Sequence, residues 1–181
     1  MKCSAIDLSA NVMTDFAMEV PHRSSVRNLV IGFGNTLRGD DGAGYYVAET
    51  IAQWYDTTVR SIYVHQLTLD LAAEIADHQR VIFIDAVPYQ HSGYTQCPTV
   101  IIKPLQADAY EPGRNSYGGH YSSPSALLAV AQHLYGVQPI AYQLLIPAAD
   151  FSFGDKFSEV TTSCVKLALA KVKELLDLSA S

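Results

Sequence analysis

Short apolar runs alternate along this chain with stretches in which apolar residues return every three or four positions, and turn residues separate them. Asn28–Phe33 (NLVIGF) is a continuous apolar run closed by Gly34, the pattern of a strand buried on both faces. Ala43–Tyr55 carries Val47, Ala48, Ile51 and Trp54 on one helical face. Thr58–Val64 (TVRSIYV) alternates as a second strand, and Leu67–Asp77 sets Leu67, Leu71, Ala72 and Ile75 at helical spacing. Val81–Ile84 (VIFI) predicts a third buried strand ending at Asp85.

This βαβαβ order implies a parallel sheet with right-handed crossovers. Thr99–Leu105 (TVIIKPL) comes too soon after the third strand for a helical crossover, so it is expected to be antiparallel. Pro104 suits an edge strand or a strand end. Gln106–Tyr121 is polar, rich in Gly and Tyr, and reads as a loop. It leads to a helix over Pro124–Tyr135, with Ser123 as N-cap and Pro124 as first helical residue. Ile140–Ile146 is the last strand. A terminal amphipathic helix over Lys156–Leu178 is expected to bury Val160, Cys164, Leu167, Val172 and Leu175. The fold class is therefore α/β.

Composition narrows the class without changing it. The 181 residues, 49% hydrophobic and 17% charged, fit one globular domain over 27–181 preceded by an extension of uncertain order over 1–26. The net charge of −6 favours solubility and argues against a nucleic-acid partner, which would want a basic face. Cys3, Cys97 and Cys164 form neither a zinc-type pair nor a disulfide framework, which points to a reducing, cytoplasmic setting. No apolar stretch is long enough for a membrane span.

The chemistry gathers in the Gly34–Gly44 loop. Gly32-Phe33-Gly34 after a strand invites a dinucleotide reading, but the third glycine of that fingerprint falls on Leu37. Val64-His65-Gln66 offers no acidic residue for a ribose, and no Gly-Lys-Ser/Thr comes after the loop, so no nucleotide cofactor is expected. Asp40 and Asp41 stand side by side between Gly39 and Gly42. Such a pair faces solvent, a cation or a helix N-terminus; the plain structural reading is that both favour the start of the Ala43 helix. Asn35 suits the tight turn and a hydrogen bond within its own loop.

Ligands of open parallel sheets bind beyond the carboxyl ends of the strands. Asp41 lies after the first strand, Asp85 ends the third, and His120 precedes the Ser123 cap, so all three can approach one rim. Carboxylates with an imidazole suit zinc, nickel, manganese or iron and leave coordination positions open. Each has a structural alternative: Asp85 as a turn residue, His120 as an exposed side chain. His65 can reach the same rim, whereas His22, His78, His91 and His133 read as surface residues.

The run Gly32 through Gly44 (GFGNTLRGDDGAG) resembles the N-terminal signature of the nickel–iron hydrogenase maturation endopeptidases. Ile84-Asp85-Ala86 is similar to that family's second motif, and His120 through Leu127-Leu128 to its third. Ile146-Pro147, with the loop and long helix after it, also fits, so the likeness spans about Asn28 to Leu178. The resemblance implies a three-layer sandwich: a mostly parallel, twisted five-stranded sheet with one antiparallel edge strand and helices on both faces. It implies removal of a C-terminal peptide from the hydrogenase large-subunit precursor after nickel insertion, with Asp41, Asp85 and His120 as metal-contacting and catalytic positions. The nickel would come with the precursor. Many relatives carry an Asp-Gly-Gly-Thr-like box after the second strand; His65-Gln66-Leu67-Thr68 is similar instead to the variant in proteases serving bidirectional, NAD-linked hydrogenases. That box would bear on substrate choice or catalysis.

No ordinary protease machinery is visible: no cysteine has a positioned histidine, and there is no H-E-x-x-H. Two other classes remain open on the sequence. A non-proteolytic nickel-binding or chaperone module would bind precursor and release no peptide, and a nucleotide-dependent enzyme with a degenerate glycine loop would bind NAD or ATP.

Overall fold

The computed structural model of the chain describes residues 27–55, 58–89, 98–108 and 123–177. They build a five-stranded sheet in the order β2-β1-β3-β5-β4. Its strands are β1 (Asn28–Phe33), β2 (Val59–Val64), β3 (Arg80–Pro88), β4 (Ile101–Leu105) and β5 (Ile140–Ala148). The helices are α1 (Ala43–Trp54), α2 (Leu71–Ala76), α3 (Pro124–Tyr135) and α4 (Glu159–Asp177), and a 3-10 turn over Gly39–Gly42 precedes α1. Four strands run parallel, and β4 pairs antiparallel with β5 at the edge, as its short approach and Pro104 predict.

Topology explains the layers. From β1 the chain crosses through α1 to β2 on one side, then returns through α2 to β3 on the other side of β1. Two right-handed crossovers in opposite directions must lie on opposite faces of the sheet. Alternate side chains of each buried strand then feed two cores. Val30, Ile82, Ile84, Leu144 and Ile146 pack with α1 and α4, while Leu29, Ile31, Val81 and Phe83 pack with α2 and α3. The expected three-layer sandwich is the result.

Several boundaries differ from the sequence pattern, each for a tertiary reason. The helix expected over Leu67–Asp77 starts at Leu71; Thr68 and Leu69 form the turn that leads into it, although Leu67 still enters the core. The third strand does not end at Asp85 but continues to Pro88, because β5 pairs with it through Pro88↔Ala148. Trp54 lies half exposed rather than on the buried face of α1. On α4 the buried stripe is Thr161, Cys164, Val165, Ala168, Val172 and Leu176, so Leu167 points outward. His78, expected at the surface, is buried; its Nδ1 donates to the Glu74 carbonyl at 2.7 Å. Ser123 caps α3 as predicted, its Oγ accepting from Ala126 N at 3.1 Å, and Gly136 closes that helix in the left-handed conformation. The extension over 1–26, His22, His91, Cys3, Cys97 and most of the 106–121 loop lie outside the described residues.

The helix–strand contact that a dinucleotide fold makes with its third glycine is made here by Gly32 and Gly44. A Cβ on Gly32 would strike the Gly44 carbonyl, and one on Gly44 would strike the Ile84 carbonyl and lie 2.6 Å from that of Phe33. The first turn of α1 thus rests directly on the ends of β1 and β3. Gly→Ala inside a helix normally stabilises by about 0.5–1 kcal/mol. Here Gly44→Ala must part the helix from two strand ends, and we expect a loss of about 2–4 kcal/mol. A fall in the urea midpoint at unchanged slope checks this; a rise would disprove the close approach.

Candidate functional site

The sheet changes direction between β1 and β3: the chain leaves β1 toward β2, whereas β3 leads on toward β5 and β4. At such a switch point the loops after the two strands diverge and leave a crevice. Both candidate carboxylates stand there. β1 pairs with β3 only as far as Gly32↔Ile84, so Asp85, level with the last β1 residue Phe33, is the first β3 residue beyond that pairing. Asp41 is held above it by the 3-10 turn, which packs on β3.

The Gly34–Gly44 loop is cross-braced from within. Asn35 Oδ1 accepts from Leu37 N at 2.9 Å, as expected for that residue, and Asn35 N donates to Asp41 Oδ2 at 2.8 Å. The brace fixes the Asp41 carboxylate on the crevice side of the turn. Gly34 adopts φ 143°, and a side chain there would collide with the Asp41 backbone. No other residue type would let the loop fold back so closely.

Asp85 is partly buried, and burial together with the charge of Asp41 pushes its carboxyl up to about 7, against the lowering effect of a hydrogen bond from the Ala86 backbone. Two carboxylates at one crevice with no cation between them repel, and the more buried one keeps its proton. A bound cation would remove that repulsion.

Asp40, next to Asp41 in sequence, has the opposite environment. It is fully buried. Its Oδ1 accepts from Ser158 N at 2.7 Å, while Oδ2 accepts from Ala149 N and Asp150 N, both at 2.8 Å, and from Ser158 Oγ at 2.7 Å. Burial alone would raise its pKa, but these hydrogen bonds outweigh burial and hold it below the ordinary carboxylate value. The structural reading that Asp40 starts the Ala43 helix is therefore corrected. It serves a helix start, but that of α4, whose first residue comes directly after Ser158. No cap hydrogen bond from Asp40 or Asp41 reaches α1.

The remaining candidates are placed unevenly. His65 comes directly after β2, and Gly34 N donates to the Val64 carbonyl at 3.2 Å, so His65 stands exposed on the same rim. Thr68 is exposed and Gln66 partly buried, but Leu67 is a core residue. His120 lies outside the described residues, and among the described residues no three His, Cys, Asp or Glu side chains group closely enough to hold a metal ion. Cys164 is buried within α4, away from the crevice. A cleft of about 380 Å³ opens at the opposite end of the sheet, between Leu105, Leu128, Gln132 and Ile140, and none of its lining residues ionises.

No protein-family model matches the chain, and no curated protein matches it in sequence. Solved structures do match in shape. HycI from Thermococcus kodakarensis KOD1, a NiFe hydrogenase maturation protease, superposes with a TM-score of 0.63 at 20% identity, over 84% of this chain and 93% of that one. The hydrogenase maturating endopeptidase HybD from E. coli gives 0.66 at 20% identity, over 85% and 94%. The hydrogenase 2 maturation peptidase of a Thaumarchaeota archaeon gives 0.60 at 23% identity, over 84% and 99%. The fold is that of the hydrogenase maturation proteases. Among the described residues, no helix is long and apolar enough to cross a membrane.

Two stability measurements probe the carboxylates. Between the ordinary value of 3.8 and about 7, Asp85 is protonated in the folded chain and ionised in the unfolded one. Folding takes up a proton in that window, so Asp85's contribution falls as pH rises through it and levels off above. Asp85→Asn should therefore melt higher than wild type near about pH 8, by roughly 1–2 kcal/mol, with the gap closing toward about pH 4. Asp40 has the reverse sign: its contribution is complete above its unfolded value and is lost as pH falls through the lower folded one. Asp40→Ala strands its buried donors and should cost about 3–5 kcal/mol, read by chemical denaturation.

Proposed function

We propose that this chain is a hydrogenase maturation protease, which removes a C-terminal peptide from the nickel-loaded large-subunit precursor of a NiFe hydrogenase. The observation that carries the reading is the Asp41–Asp85 pair, set at the switch point of a fold shared with proteases of that name. The motif order around Gly32–Gly44, Ile84–Ala86 and His120–Leu128 supports it independently.

In this reading Asp41, Asp85 and His120 are the groups that meet the nickel, and the nickel is cargo of the substrate. Asp41 arrives pre-oriented by the Asn35 amide. Asp85 contributes a second carboxylate once its proton is displaced. His120 enters from the segment that precedes the Ser123 cap. Three protein ligands around a metal held by the precursor would fix the scissile peptide against the crevice and polarise its carbonyl or a water molecule. A precursor without nickel would offer nothing for the carboxylates to grip, so cleavage would wait for metal loading. The His65–Thr68 box, with its exposed imidazole, leads us to assign the substrate to the bidirectional, NAD-linked hydrogenases of the cytoplasm.

Incubation with nickel-loaded precursor should release one C-terminal peptide, detected as a mass loss. Asp41→Ala, Asp85→Ala and His120→Ala should each lower turnover at least about 100-fold while the chain remains folded by circular dichroism. Equal cleavage of nickel-free precursor would remove the metal from the mechanism. Binding of precursor with no peptide released would favour a chaperone module instead.

A further inference from the structure

The loop after β5 does more than supply donors to Asp40. Gly154 forms an isolated parallel bridge with Arg38: Gly154 N donates to the Leu37 carbonyl at 2.9 Å, and Gly39 N donates to the Gly154 carbonyl at 2.8 Å. Asp40 N donates to the Asp150 carbonyl at 2.9 Å, and Arg38 Nε to that of Phe151 at 3.3 Å. Phe157 stacks edge-on against Tyr46 of α1, with ring centroids 5.6 Å apart. The two loops are thus one braced platform.

On this platform the residues that precede the bridged pair, Leu37 and Phe153, come side by side in parallel register. Neither side chain is packed away: Leu37 is 57% exposed and Phe153 86% exposed. A single exposed apolar residue is ordinary. These are two large ones, each one residue from the bridge, on backbone that hydrogen bonds and the Asp40 carboxylate hold in place. Their order is not owed to burying them. Apolar side chains carried on a braced backbone leave less to order on binding. Their location adds to this. Asp41 N donates to the Arg38 carbonyl at 3.1 Å, so Leu37 lies about one turn from the carboxylate proposed to meet the nickel.

We infer that Leu37 and Phe153 form a paired apolar grip for the hydrogenase large-subunit precursor, engaging an apolar segment beside its metal site. The inference rests on the protease reading above, because a precursor that brings nickel to Asp41 must lie against the turn that carries Leu37. The pair then governs capture of the precursor, while Asp41, Asp85 and His120 govern its cleavage.

The test compares initial rates over a range of nickel-loaded precursor concentrations for wild type, Leu37→Ser, Phe153→Ser and the double variant. Leu134→Ser, an equally exposed apolar residue near the far end of α3, is the control. Each single variant should raise KM about tenfold or more, the double variant further, with kcat and melting temperature unchanged; the control should match wild type. Wild type that releases no peptide would sink the protease reading itself. Wild-type cleavage with unchanged KM in both single variants would sink the grip alone. A lowered melting temperature would overturn it as well, by showing that the chain's own residues already cover the pair. So would a wild-type dimer in sedimentation that the variants abolish, since a second copy would then be the occupant.

Discussion

Two loops at the carboxyl rim of this sheet are held together by one buried negative charge. A carboxylate removed from water is costly unless its lone pairs are met. Asp40 is met by three backbone amides and a hydroxyl, all contributed by the segment between β5 and α4. That segment has no regular structure of its own, and without the carboxylate its amides would point at nothing. The charge therefore orders two loops at once and ties the start of α4 to the turn ahead of α1. Asp41 shares in this arrangement, since among the described residues its side chain bonds only the Asn35 amide of its own loop.

Two neighbours in sequence thus carry contrary electrostatics. Asp40 is bound so fully that it stays ionised and has no capacity left for a ligand. Asp41 spends one oxygen on the Asn35 amide, and its charge adds to burial in holding a proton on Asp85. The close seating of Gly44 on the strand ends makes this proximity possible, because a bulkier residue would lift the 3-10 turn away from β3. Backbone packing at Gly44 and the hydrogen bonds of Asp40 together set where the two acids stand.

Local signals make much of this legible in the sequence. The apolar runs of β1 and β3, the Ser123–Pro124 cap, the Asn35 turn and the edge placement of the Pro104 strand are all written in adjacent residues. The features that escape a local reading are long-range. The partners of Asp40 lie more than a hundred positions away, so no local pattern separates its role from that of Asp41. The extra length of β3 comes from pairing with β5 and runs straight through an ionisable residue, Asp85, that looks like a terminus. Periodicity places Leu167 in the core of α4, but Thr161, a polar residue, takes a core position by donating its hydroxyl to the Pro147 carbonyl at 2.9 Å and so turns the buried stripe. His78 reaches the interior by satisfying a carbonyl at the end of α2. His120 is assigned to the rim by motif order alone.

The outer strand β4 has a consequence for how the molecule keeps company. Its middle and end offer the exposed Lys103 and Pro104, one a hydrated charge and the other a residue with no amide hydrogen to give. An incoming strand laid against that side would meet a hydrated ammonium group, and proline could give it no amide hydrogen. The sheet is therefore blunt at that margin and resists extension by a foreign chain.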